Sequence, residues 1–414
     1  ACLNPYARVD FNAKLWICPF CYTRNHFPQH YASISETNLP AELFPTYTTI
    51  EYQLQRPAGS PPAYMFVVDV CLIEEELSAL KQSLTQALSL LPENASVGLI
   101  TYGTHVHVHE LGFDQGPKSY VFRGSKEFTS QQIQDQLFRS TGGARPRPGQ
   151  QTNGAAVTGH QSKFLVPLAD CEFQLTSVLE ELSRDSFSAL PDCRPARCTG
   201  TAVAVAATLL ASSVSNIPAR AMLFVGGPAT DGGGQVVGKE LETAMRSHKD
   251  IAKGAAPFMN KATKYYETVA TQLCTNGHCL DVFACSLDQV GLAEMKVCAE
   301  KTGGMVVLAE SFANTVFKTS FARMFTTEGE DALGVSSGGV FEVITSRDVK
   351  TAGCVGPCAA LDKKTLPGAI ADVPVGSGGT TAWKLCSLSN DTSLAVFFEP
   401  ANRGDGKDGT QTAP

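Results

Sequence analysis

The chain of 414 residues lacks any apolar run approaching the ~18 residues that a membrane-spanning helix needs. It opens on "ACLNPYARVD", without the basic, apolar and small-residue succession of a secretory leader, so none is expected. Positive charge is not in excess. The net charge of −7 argues against wholesale nucleic-acid binding and leaves room only for a local basic face. There is no Ser-His-Asp or paired-carboxylate signature. The glycine-rich "FVGGPATDGGG" lacks both the Gly-Lys-Ser/Thr ending of a phosphate loop and the GxGxxG of a dinucleotide site. These absences leave no persuasive enzyme site. The glycines instead predict a mobile surface loop.

What is present is the composition of a soluble globular protein, 43% hydrophobic and 18% charged. The length predicts about two or three domains. Most of the 14 cysteines stand singly in apolar runs, as Cys71, Cys285 and Cys298 do. Free cysteine behaves as a small buried hydrophobe, and a chain this long needs no disulfide staples. A reducing, cytosolic compartment is expected.

One pair differs. In "WICPFCYTRN", Cys18 and Cys21 have the spacing with which a tight turn offers two thiolates to one ion. Trp16 and Phe20 are placed to shield them. Two buried thiols or a redox pair are the alternatives, but a redox CxxC wants a strand before it and a helix after. A structural zinc ribbon is favoured, its remaining ligands expected upstream of Ala1. Cys2 is the other cysteine nearby. Cys354 and Cys358 read as a structural loop pair.

Residues 1–46 form this cysteine module. Residues 47–61 are a proline-punctuated linker with one strand expected over Thr48–Gln53. Residues 62–330 alternate strands and helices. "AYMFVVDV" is an unbroken apolar strand ending on Asp69, and Leu77, Leu80, Leu84, Leu88 and Leu91 mark one helix face closed by Pro92. "TGTAVAVAATLLASSV" is an apolar helix with Thr199 expected as its cap. Two helices end on glycine, at "CTNG" and "EKTGG". This alternation predicts a mostly parallel sheet with helices on both faces. Residues 331–414 read as antiparallel strands of a β-domain too small to close on itself, fraying after Pro400.

Asp69 falls where α/β ligand sites lie. A von Willebrand A-type (vWA) metal site needs Asp-x-Ser-x-Ser there, and this chain offers Val70, Cys71, Leu72 and Ile73, with no hydroxyl. His105, His107 and His109 alternate onto one face of a strand and are expected on the solvent-facing edge of a hairpin. Arg194 and Arg197, just before a helix, are placed to pair with backbone or with a partner's carboxylate.

Several segments resemble one known family: "LNPYARVDFNAKLWICPFCYTRNHFP", "LPAELFPTYTTIEY", "FVVDVC", "ALSLLPENASVGLITYG", "KSYVFRG", "NIPARAMLFVGGPAT" and "GLAEMK". In this collinear order they are similar to the Sec twenty-three family, inner-layer subunits of the COPII vesicle coat. The resemblance implies a multidomain α+β chain with a partial zinc ribbon, a vWA-like trunk and a partial β-sandwich. It implies zinc on Cys18 and Cys21, with the other ligand pair upstream, and no ligand role for Cys2. It also implies activation of a Sar-type small GTPase through an arginine that lies beyond Pro414. The implied partners are that GTPase, a cargo-adaptor sister subunit and outer-coat subunits, with peripheral contact to the endoplasmic reticulum membrane at exit sites. A vWA-like metal-dependent binding module is the alternative, and a nucleotide-using enzyme a third.

Overall fold

In the computed structural model of the chain, residues 1–52, 61–113, 116–138, 163–187, 189–214, 217, 219–325, 335–362 and 368–401 are described. A small antiparallel sheet comes first: β1 (Arg8–Asp10), β2 (Leu15–Ile17) and β3 (Arg24–His26), in that order. The strand expected over Thr48–Gln53 is absent from Thr48 to Tyr52, and Gln53 lies outside the described residues. Tyr52 is tied down by its side chain instead: its Oη donates to Glu42 Oε1 at 2.7 Å, beside Tyr31 Oη at 2.6 Å.

The large sheet is built on β4 (Ala63–Asp69), β5 (Ser96–Tyr102), β6 (His105–His109), β7 (Ser119–Arg123), β8 (Val166–Pro167), β9 (Ala219–Val225), β10 (His278–Cys285) and β11 (Val306–Ala309). Its order is β11-β10-β9-β4-β5-β6-β7, with β8 on the end of β5. The five strands from β11 to β5 run parallel, while β6, β7 and β8 pair antiparallel. Every residue of β4 and β10 is buried, as unbroken apolar strands covered on both faces must be.

One face carries α1 (Glu74–Leu88), α3 (Leu168–Glu181) and α8 (Thr315–Arg323). Leu77, Leu80, Leu84 and Leu88 form the buried stripe of α1, and Glu74, Glu75 and Glu76 lie at its electropositive N-terminus. Phe224, Phe283, Phe317 and Phe321 pack together beneath α8, with Phe224 stacked on Phe283 at 5.1 Å. The other face carries α2 (Ser130–Phe138), α4 (Thr199–Ser213), α6 (Met259–Asn276) and α7 (Leu292–Thr302), with the short α5 (His248–Ala252) before α6. Apolar nearly all round, α4 is the central buried helix. Its N-cap is Cys198 rather than Thr199, and no side chain caps it. Thr199 is the first helical residue, wholly buried, and its hydroxyl makes no capping bond. Gly277 and Gly303 end α6 and α7 in left-handed geometry, at φ 76° and 72°.

After the trunk come β12 (Val335–Glu342), β13 (Val349–Val355), β14 (Ala359–Ala360), β15 (Ile370–Gly376), β16 (Ala382–Ser389) and β17 (Ala395–Pro400). They form two three-stranded sheets, β12-β16-β14 and β15-β13-β17. The pairing is not all antiparallel as expected. β13 and β15 run parallel because the chain crosses to the other sheet as β14 before returning. Residues 402–414, expected to fray, lie outside the described residues, as does the junction around residue 330.

Candidate functional site

Two places on this frame carry the residues that the sequence singled out. The first is the turn after β2. Cys18 is fully buried, and its amide donates to the Thr23 carbonyl at 3.1 Å. The Tyr22 amide closes the turn onto the Cys18 carbonyl at 2.9 Å, with Tyr22 in left-handed geometry at φ 57°. The Cys2 amide donates to Cys18 Sγ at 3.4 Å, while the Cys2 thiol turns to the Leu3 carbonyl. Hydrogen bonding to the Thr23 side chain is the main reason the Cys21 thiol is lowered to about 7. Trp16 is buried against Phe27 at 6.4 Å, and Phe20 is half-buried. A sulfur that accepts a backbone N–H, beside a second drawn toward thiolate, is the donor chemistry of half a tetrahedral zinc site. Among the described residues no group of three or more metal-ligating side chains is assembled.

The second place is the carboxyl end of the parallel strands. Asp69, wholly buried, ends β4. Its Oδ1 accepts from the Cys71 amide at 2.8 Å, and its Oδ2 from the Gly226 amide at 2.9 Å. Arg197 Nε donates to the same Oδ2 at 2.7 Å from a side chain only 5% exposed. Burial by itself would lower the Arg197 pKa, but the Asp69 carboxylate overrides it and holds the guanidinium above its usual value. Arg197 is further fixed by its own amide, which donates to Thr230 Oγ1 at 2.9 Å, and by Thr230 Oγ1 donating to the Pro195 carbonyl at 2.6 Å. A Cβ on Gly227 would fall on Arg197 Nη1, so glycine is what lets the backbone lie against the guanidinium. A second apical carboxylate, Asp185, is spent on the amides of Thr104 and Phe187.

The glycine-rich segment is therefore no mobile surface loop. Gly227, Ala229, Thr230, Gly233 and Gly234 are buried, and a Cβ on Gly233 would strike the Tyr265 ring. The loop gives up side chains in order to pack backbone against the start of α4 and against α6. Arg194 pairs with backbone, donating from Nη1 to the Glu240 carbonyl at 2.6 Å. Arg197 pairs with a carboxylate of its own chain rather than a partner's. The sequence reading missed this contact although the cue was there: a carboxylate closing a fully apolar strand, with no hydroxyls to share an ion, needs a cation from elsewhere. Arg220 with Asp281, and Arg246 with Glu294, are further pairs with buried carboxylates that it missed.

The three histidines share one face of β6, but β6 lies between β5 and β7 and is not an edge. His109 meets Thr101 Oγ1 at 3.0 Å, and burial lowers its pKa to about 4. His107 meets Ser119 Oγ at 3.5 Å, and His105 packs on Phe187 at 5.2 Å. Cys354 and Cys358 are buried together above Trp383.

These features define a class: a vWA-like trunk whose apical carboxylate is neutralised by an internal arginine, preceded by a cysteine-bearing ribbon and followed by further β-sheets. Family models agree with it. Residues 1–31 match the Sec23/Sec24 zinc finger and residues 59–325 the Sec23/Sec24 trunk domain. The chain is 50% identical over 411 residues to protein transport protein SEC23 F of Arabidopsis thaliana, covering 98% of this chain and 53% of that protein. It is also 50% identical to SEC23 C of the same plant over 398 residues, covering 95% and 52% of the two chains. The human COPII-coat protein Sec24c superposes with a TM-score of 0.61 at 16% identity, over 96% of this chain and 49% of that one, which speaks to fold. The chain belongs to the Sec23 family. It spans about half the length of the curated relatives it matches. Among the described residues, no helix is long and apolar enough to cross a membrane.

Proposed function

We propose that this chain is the ribbon and trunk portion of a COPII coat subunit, a scaffold that docks a Sar-type GTPase and a cargo-adaptor sister subunit during transport from the endoplasmic reticulum. Family membership at 50% identity over nearly the whole chain carries the reading. Surface chemistry supports it: the loops leaving the carboxyl ends of β4, β9 and β10 expose Ile73, Leu241 and Leu287, the last at 89%, and the segment between α3 and α4 exposes Phe187 and Leu190. Exposed large apolar side chains of this kind suit a protein partner better than a small molecule. The vWA metal-dependent alternative loses ground, because the cation facing Asp69 is Arg197.

On this reading the division is ribbon 1–46, linker 47–61, trunk 62–330 and β-sandwich 331–414. The ribbon's zinc, when bound, supplies a rigid cross-link and no reaction. Cys18 and Cys21 would hold it, Cys18 steadied by the Cys2 amide. Outer-coat subunits and the cytoplasmic face of the endoplasmic reticulum membrane complete the expected partners.

Stimulation of GTP hydrolysis needs an arginine that neutralises charge developing on the phosphates. Arg197 is unsuited, since its side chain is buried on Asp69, and Arg194 is engaged with the Glu240 carbonyl at the surface. We place that arginine in the half of the relatives that this chain does not span. Binding of residues 1–414 to a GTP-locked Sar-type GTPase, beside a single-turnover hydrolysis assay, tests the proposal. Binding without acceleration supports it. Stimulation matching a full-length relative would move the arginine into this chain, and absence of all binding would remove the docking role.

A further inference from the structure

The joint between the trunk and the β-sheets is held by polar contacts along β16. Arg220 Nη1 donates to Ser387 Oγ at 2.8 Å while its other nitrogens grip Asp281. Lys384 Nζ donates to the Thr275 carbonyl at 2.9 Å, at the end of α6. A Cβ on Gly303 would come within 2.7 Å of the Ser387 carbonyl, so the two units approach backbone to backbone. In this seam two cysteines from different units meet. Cys274 is in the last turn of α6 and Cys386 on β16, 112 residues apart in the chain. Cys386 Sγ donates to the Cys274 carbonyl at 3.9 Å, which brings the two residues together across the seam, and Cys274 Sγ donates to the Lys301 carbonyl at 3.7 Å.

Their chemistry differs from that of the other core thiols. Burial pushes Cys71, Cys198, Cys279, Cys285 and Cys298 up, which makes them inert. Cys274 moves the other way, drawn down first by the adjoining Cys386 side chain and then by the charges of Lys301 and Lys384. Cys386 is raised by its closeness to Cys274 and by burial, and Cys274, the more exposed of the two, is the sulfur that peroxide reaches first. Cys274 also retains 7% of its surface, beside the exposed Thr275, whereas Cys386 retains 1%. Lysines beside a thiol, a little access and a resolving thiol in contact are the attributes of an oxidisable pair.

We propose that Cys274 and Cys386 form a redox site at which hydrogen peroxide closes a disulfide across the seam, locking the trunk to the β-sheets. The Cys274 thiolate attacks a peroxide oxygen. The O–O bond breaks, the S–O bond of a sulfenic acid forms, and hydroxide leaves to be protonated to water. The Cys386 sulfur then attacks the Cys274 sulfur. The S–S bond forms, the S–O bond breaks, and the departing hydroxide takes the Cys386 proton as a second water. Two electrons pass from the two sulfurs to one peroxide. The bond closes a long loop, so the oxidised form is the harder to unfold. This site is independent of the GTPase reading and stands or falls apart from it.

The test is peroxide titration of the chain, followed by blocking of free thiols and non-reducing peptide mapping. The expected result is a linked peptide pair containing Cys274 and Cys386 that dithiothreitol separates, with a rise in Tm of several degrees that dithiothreitol reverses. In Cys386→Ala, Cys274 should halt at the sulfenic acid and be captured by dimedone. If that variant fails to fold, the mapping on the unaltered chain still decides. Free Cys274 and Cys386 at a peroxide dose that oxidises the exposed Cys2 would overturn the proposal. So would Cys274 linked elsewhere, or a Cys274–Cys386 bond that leaves Tm unmoved.

Discussion

Arg197 Nε lies 2.7 Å from Asp69 Oδ2, and both side chains are buried. The pair joins the end of the first trunk strand to the approach of its central helix, 128 residues away. Removing one partner leaves the other charge buried alone, which costs about 3–5 kcal/mol. Arg197→Met and Asp69→Asn should each lose that much in urea unfolding, and the double variant should recover part of the loss. Additive losses would mean the pair is not coupled.

Gly227→Ala should destabilise the same apex by another route. Its new methyl group falls on the Arg197 guanidinium, so the loop or the arginine must shift. A loss of about 1–3 kcal/mol is expected, and it should shrink in the Arg197→Met background, where the side chain is more pliable. Equal losses in both backgrounds would place the clash elsewhere.

His109 gives the trunk an acid-sensitive element. Burial lowers its pKa to about 4 from the ordinary 6.5. The unfolded chain therefore binds the extra proton first. The stabilisation is complete above pH 6.5 and is lost as pH falls toward 4, by no more than roughly 3 kcal/mol. Stability against pH in His109→Gln should be flatter across that window. An unchanged slope would show that other groups carry it.

How far the sequence foretold this molecule depended on the range of the cue. The apolar run of β4, the leucine stripe of α1 and the glycine stops of α6 and α7 are local signals, and the elements follow them. Among the described residues Thr48–Tyr52 pairs with no strand, since β propensity is realised only against a partner, and Tyr52 is held through its hydroxyl on Glu42 instead. Thr199 fell one residue inside the helix rather than at its cap, the scale on which helix ends are not legible from sequence. "GGPATDGGG" looked like a surface loop because its partners, Tyr265 on α6 and Arg197, are distant in sequence. Cys18 and Cys21 were legible as a pair, and what completes them was not.

Zinc should bind weakly through two thiolates alone. Metal analysis of residues 1–414 should give substoichiometric, chelator-labile zinc, and a version extended upstream should hold about one equivalent. Cys18→Ser should abolish binding in both. Full, chelator-resistant zinc in residues 1–414 would bring Cys2 or a histidine into the site.

The central claim, a coat-scaffold trunk whose apical cation is an arginine rather than a metal ion, is tested most directly by titrating the chain against the cargo-adaptor sister subunit in magnesium and again in EDTA. The account predicts binding of equal affinity in the two buffers. Binding that appears only with magnesium and vanishes in Asp69→Asn, or no binding in either buffer, would contradict it.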